Sequence, residues 1–228
     1  MQINDQLVKL YEKEISILKN SNIKSWDFDG PLLMHCWEKE YLQSEFKILF
    51  FGREPNGWMG DLVLNTSDCI NKYKDFGLCE NGRYTTFWQY IYHTKNILMP
   101  QSITQKNFLW SNVSKFSKLN GKSIDLDSYK FFCDNFQILE TELKILKPDV
   151  IIFFTGESWD DKIRYQINSE IQFKSVKDEI PISKLSRVQS EILPYNTYRV
   201  DHPTTLQLQK NWNYMEIIME QIKLTHTK

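Results

Sequence analysis

A carboxylate, an amide and an imidazole each stand at the end of an apolar run in this sequence: Glu54, Asn112 and His202. Such groups can orient a water, read a polar ring edge and donate a hydrogen bond to an oxygen that gains charge. Glu54 belongs to residues 46–58, FKILFFGREPNGW, where the apolar run from Phe46 to Phe51 stops at Gly52. A short apolar run that ends in Gly, Pro and Asn predicts a buried strand delivering a turn. Gly52 and Gly57 open backbone angles closed to other residues, and Pro55 pushes Glu54 toward an extended conformation. The turn is expected to hold the Glu54 carboxylate rigidly at the mouth of a sheet; a solvated loop is the plainer alternative. Residues 196–206, NTYRVDHPTTL, repeat the pattern, with His202-Pro203 after a strand at Tyr198–Val200. The run Phe108 to Lys115, FLWSNVSK, carries Asn112 near its end.

Between Gln101 and Ile124 there are four lysines, Lys106, Lys115, Lys118 and Lys122, and no acid. With Ser, Asn and Gly among them, this stretch is a candidate phosphate-facing surface, or else an ordinary basic loop. The overall charge of −1 supplies no global field toward nucleic acid or membrane, so any such attraction must be local. The four cysteines lack CxxC spacing, which disfavours structural zinc or an iron–sulfur cluster; buried thiols in a reducing cytoplasm are the simpler account. His35, among Leu33, Met34 and Trp37, reads as structural, and His93 as surface or core filler. FTGES lacks the second glycine of a nucleophile elbow, so Ser158 reads as a helix-start residue. The N-terminus has acids and no apolar core of a signal peptide, and no stretch approaches the roughly 20 apolar residues of a membrane span.

The elements that must position these groups alternate along the chain. Helices are expected over 5–19, 31–43, 85–98, 128–146, 157–168 and 209–224, and core strands over 46–51, 107–113, 149–154 and 197–200. Residues 60–83 read as a long functional loop with a short helix after Asn65, and 171–193 as a β excursion or irregular segment. Alternating strands and helices in 228 residues predict a single domain, a three-layer α/β/α sandwich with a mainly parallel four-stranded sheet and N-terminal helices (1–45) packed on the core. Ligands of such sheets bind at the carboxyl ends of the strands.

Taken together, the motifs resemble the uracil-DNA glycosylase superfamily over roughly residues 45–225. Gly52-Arg53-Glu54-Pro55 is similar to the family's Gly-x-Asp/Asn/Glu-Pro turn after the first core strand. His202-Pro203-Thr204-Thr205-Leu206 is similar to its His-Pro-Ser-Pro-Leu motif after the last. Asn112 matches the Asn that reads the base, and Phe87 in TTFWQ matches the aromatic that stacks on it. Arg53 stands where Gln is common, Glu54 where Asp is the usual base, and Asn56 where a Tyr excludes thymine in the best-known branch. These departures leave the identity of the base open.

The resemblance implies a monofunctional DNA glycosylase that releases uracil or another altered base. Glu54 and His202 are its expected catalytic residues; Gly52, Arg53, Pro55, Asn56, Phe87 and Asn112 bind the base. Lys115, Lys118, Lys122, Thr204 and Leu206 contact DNA, Leu206 as a wedge that holds the base out of the duplex. No metal or organic cofactor is called for, and the expected state is a cytoplasmic monomer with DNA as partner. Two other readings use the same residues: a catalytically weak nucleic-acid or nucleotide binder, and a small-molecule hydrolase built on Glu54 and His202.

Overall fold

The computed structural model describes residues 2–21, 27–80, 85–102, 104–119, 123–167 and 170–226. In chain order the elements are α1 (Ile3–Lys19), β1 (Phe28–Asp29), α2 (Glu38–Leu42), β2 (Ile48–Gly52), α3 (Thr66–Phe76), α4 (Thr86–Leu98), β3 (Phe108–Asn112) and β4 (Ser117–Lys118). They continue with α5 (Leu126–Asn135), α6 (Leu139–Leu146), β5 (Val150–Phe154), α7 (Asp160–Gln166), β6 (Gln172–Ser175), β7 (Leu185–Gln189), β8 (Asn196–Val200), α8 (Pro203–Leu208) and α9 (Asn213–His226).

The fold is α/β: a mostly parallel six-stranded sheet, order β3-β2-β5-β8-β7-β6, flanked by helices. The four strands expected from sequence form its parallel part. The segment 171–193 adds two more, β7 antiparallel to β8 and β6 antiparallel to β7. Every residue of β2, β3 and β5 is buried, as strands covered on both faces require. Aromatic residues fill both faces: Phe50 stacks on Phe154 at 5.9 Å between ring centres, and Phe51 on Phe153 at 4.9 Å. β3 lies at one edge, and Tyr73 of α3 covers it by donating to the Trp110 carbonyl (2.7 Å) and accepting from the Trp110 N–H (3.2 Å).

From β2 the chain goes to β3 on one side and then to β5 on the other. That makes β2 the point where strand order reverses, and the crevice beyond its carboxyl end is where such sheets hold ligands. The GREPNGW turn occupies it.

Several helices differ from their expected bounds. Residues 31–37 form no helix; only 38–42 does. Their backbone is spent elsewhere: Leu32 N–H on the Lys115 carbonyl, Met34 N–H on the Tyr11 hydroxyl and Cys36 N–H on Asn4 Oδ1. The expected helix over 128–146 is two, because Phe136 leaves the helical region (φ −153°, ψ 76°) and Gln137 N–H donates to Glu14. At the C-terminus Pro203 opens the extra helix α8, with the helix N-terminus at His202.

Lys115 departs furthest from expectation. Its ammonium is buried, bonded to Ser111 Oγ and, at 2.7 Å, to Glu142 of α6. Glu142 in turn accepts from the Tyr11 hydroxyl of α1 at 2.7 Å. Lys115 is therefore no phosphate contact but half of a buried ion pair.

Candidate active site

The four parallel strands β3, β2, β5 and β8 deliver Asn112, the Gly52–Asn56 turn, Thr155-Gly156 and Asp201-His202 to one edge of the sheet. A cleft of about 480 Å³ opens there, lined by Gly52, Arg53, Glu54, Pro55, Asn56, Phe87, Asn112 and His202. All of the residues expected to act in catalysis or base binding thus line one space.

Glu54 is held at both oxygens. Ser123 Oγ donates to Oε1, and the Ile124 N–H donates to Oε2 at 2.9 Å. Each oxygen keeps a further lone pair for a water or substrate. Gly52 pairs with Asn112 across the β2–β3 ladder. A Cβ at Gly52 would collide with Asn112 Oδ1 and sit 3.3 Å from Phe87 Cζ. Glycine here lets the amide and the ring close over the strand end.

His202 is half-buried, and its ring stacks on Phe87 with centres 5.7 Å apart. Burial, reinforced by the Arg53 guanidinium, pulls its pKa down to about 4. The imidazole is neutral at physiological pH. Arg53 is fixed by its Nε–H, which donates to the Thr155 carbonyl at 2.8 Å. Burial lowers the Arg53 pKa, with Asp201 and Glu54 opposing that shift.

Sequence reasoning did not single out the aromatic wall. Trp58, Phe76, Trp88 and Trp110 line the cleft beside Phe87, with Trp88 and Trp110 at 5.2 Å and Trp58 and Trp110 at 5.6 Å. One signal was available: Trp110 and Asn112 are two apart in a strand and share a face. Asp29 was missed as well. Its buried carboxylate accepts from the backbone N–H groups of Trp58 (2.6 Å), Met59 (2.7 Å) and Gly60 (2.8 Å), tying down the turn that carries Trp58. Only the folded pairing of β1 with β4 brings Asp29 near that turn.

The expected DNA contacts fare less well. Leu206 is fully buried on the inner side of α8, three residues after buried Pro203, and cannot wedge into a duplex. Lys118 is partly exposed but paired with Asp125, and Lys106 with Glu80 at 3.7 Å. Thr204 is exposed at the cleft end of α8. Lys122 lies outside the described residues. Among the described residues no group of three His, Cys, Asp or Glu could hold a metal ion, and no helix is long and apolar enough to cross a membrane.

Fold and site together define an α/β protein with a polar-floored, aromatic-walled cleft at the strand-order reversal of a mostly parallel sheet. Compared with known proteins, the chain matches no family model and no curated protein sequence.

Proposed function

We propose that this protein is a monofunctional DNA glycosylase, a three-layer sandwich of the uracil-DNA glycosylase type acting on uracil or another altered base. The observation that carries the reading is that Glu54, Asn112 and His202, far apart in sequence, line one cleft. The cleft suits a flat ring: aromatic walls for its faces and the Asn112 amide, donor and acceptor, for an edge with adjacent carbonyl and N–H.

In the proposed reaction the bond between the sugar C1′ and the base nitrogen breaks, and its electron pair leaves with the base. Glu54 stabilises the cationic sugar and orients the water that attacks C1′. The neutral His202 donates a hydrogen bond to the base oxygen on which negative charge accumulates. The water's proton passes to solvent, and the base takes one up. The protein acts as a monomer on DNA and needs no cofactor; four buried thiols, Cys36, Cys69, Cys79 and Cys133, fit a reducing cytoplasm.

A panel of single- and double-stranded oligonucleotides with different altered bases, scored for base release, tests this. Glu54→Gln and His202→Ala should each slow the chemical step on the order of 100-fold or more while sparing DNA binding. If the parent releases no base from any substrate, the reading fails. One observation favours the weak binder instead: both Glu54 oxygens already hold internal partners, as a purely structural carboxylate would.

A further inference from the structure

Of the lysines that sequence placed on phosphate, Lys115 and Lys118 are spent in ion pairs, whereas among the described residues Arg53 of the cleft and Lys162 of α7 make none. Arg53 uses only its Nε, on the Thr155 carbonyl at 2.8 Å. Among the described residues its two Nη groups meet no acceptor, and the Lys162 ammonium meets no acceptor and no acid. Lys162 of α7 is instead held by rings: its Nζ lies 3.8 Å from the centre of Trp159 and 5.2 Å from that of Tyr129.

We propose that Arg53 and Lys162 form a phosphate clamp for the nucleic-acid backbone beside the nucleotide held in the cleft. Both border the turn that follows β5, Arg53 reaching it from the turn after β2 and Lys162 from α7. Arg53 Nη2 comes within 3.5 Å of where a Cβ on Gly156 would be, and Trp159, which carries Lys162, is three residues on. A guanidinium pinned at Nε presents its two remaining nitrogens as a fixed fork, the shape that meets two phosphate oxygens at once. An ammonium resting on an indole face keeps its position while its donors stay free.

Asp201 and Glu54 attract Arg53, and Glu54 and Asp125 attract Lys162, without forming an ion pair with either. Glu54 is engaged by Ser123 and Ile124, and Asp201 by Lys184 at 3.3 Å. Burial pulls the Lys162 pKa down, with Glu54 opposing and Arg53 adding to that shift, so Lys162 feels both neighbours. A phosphodiester entering here relieves the repulsion between the two cations. This inference deepens the glycosylase reading and rests on nucleic acid being the ligand.

The test is equilibrium binding of a uracil-free single strand, followed by fluorescence anisotropy across a range of KCl, for the parent, Lys162→Met, Lys162→Arg and Lys144→Gln. Methionine keeps the stem on the indole and removes the charge. Removing one cation from a phosphate should lower the log–log salt slope by about 0.7. Lys162→Met should show about one such step, Lys162→Arg should restore it, and Lys144→Gln, on a remote face, should match the parent. A Lys162→Met slope equal to the parent's, or one that Lys162→Arg does not restore, overturns the clamp. Base release is scored separately on a uracil-bearing strand. A chain that shows the Lys162 effect but releases no base keeps the clamp and loses the glycosylase; release without the Lys162 effect does the reverse.

Discussion

The backbone N–H of Thr204 donates to Nδ1 of His202 at 3.3 Å. A neutral imidazole that accepts at Nδ1 carries its proton on Nε2, so the ring's remaining nitrogen is a donor. Residue 204 thereby sets what residue 202 offers to a ligand.

That tautomer has a pH signature. With a His202 pKa of about 4, the donor form persists well below the usual histidine range. Base release should stay level from pH 8 to about 5.5 and decline only as pH approaches the shifted value. A pH–rate profile with a limb near 6.5 would contradict this.

Stability should show the complementary trend. Burial lowers His35 as well, to about 4. The unfolded chain takes up protons on both rings as pH falls through about 6.5, while the native state does not until about 4. The contribution of both rings is complete above pH 6.5 and is lost as pH falls toward 4. Urea midpoints measured across that window should drop, and drop less in His35→Asn.

Gly52→Ala is expected to damage the site through two neighbours at once. The new Cβ displaces the Asn112 amide and presses on Phe87. A displacement of about 1 Å can cost on the order of 100-fold in rate, and overpacking about 1–3 kcal/mol in stability. Single-turnover base release should fall further than for Asn56→Ala, whose exposed side chain lies at the rim.

Lys115→Met should unfold the protein more easily without changing the salt slope of DNA binding. It leaves Glu142 charged and buried, which typically costs about 3–5 kcal/mol. The double variant with Glu142→Leu should recover much of that loss in chemical denaturation, since no unpaired charge then remains.

Asp29→Ala is expected to free three N–H groups of the Trp58 turn at once. The Trp58 N–H is buried, and an unsatisfied buried donor costs about 1–3 kcal/mol; those of Met59 and Gly60 are part-buried and cost less. Because Trp58 lines the cleft, KM should rise more than kcat falls; equal loss in both would assign Asp29 to folding alone.

The polar floor of the cleft was legible because each member stands at or just past the end of an apolar run. Glycine, proline and the end of an apolar run are local signals, and a parallel sheet gathers whatever stands at its strand ends. Lys115 was misread because its partners are remote: Glu142 lies 27 residues on and Tyr11 belongs to the first helix. A lysine in a basic stretch carries no mark of burial. Leu206 was misread for a related reason, since the motif it resembles fixes its residue type but not the side of α8 that faces the core. Residues 31–37 looked helical because every position from Pro31 to Met34 is apolar and buried, which hides the absence of a face.

The chain Tyr11–Glu142–Lys115 binds the first helix to the loop behind Asn112. Detaching α1 alone would expose Glu142 and strip it of a donor, so partial opening costs nearly as much as complete opening. Amide hydrogen exchange should therefore find the inner face of α1 among the slowest-exchanging segments, in step with β2 and β5. The segment nearest the chain's beginning would then belong to the same cooperative unit as the central sheet.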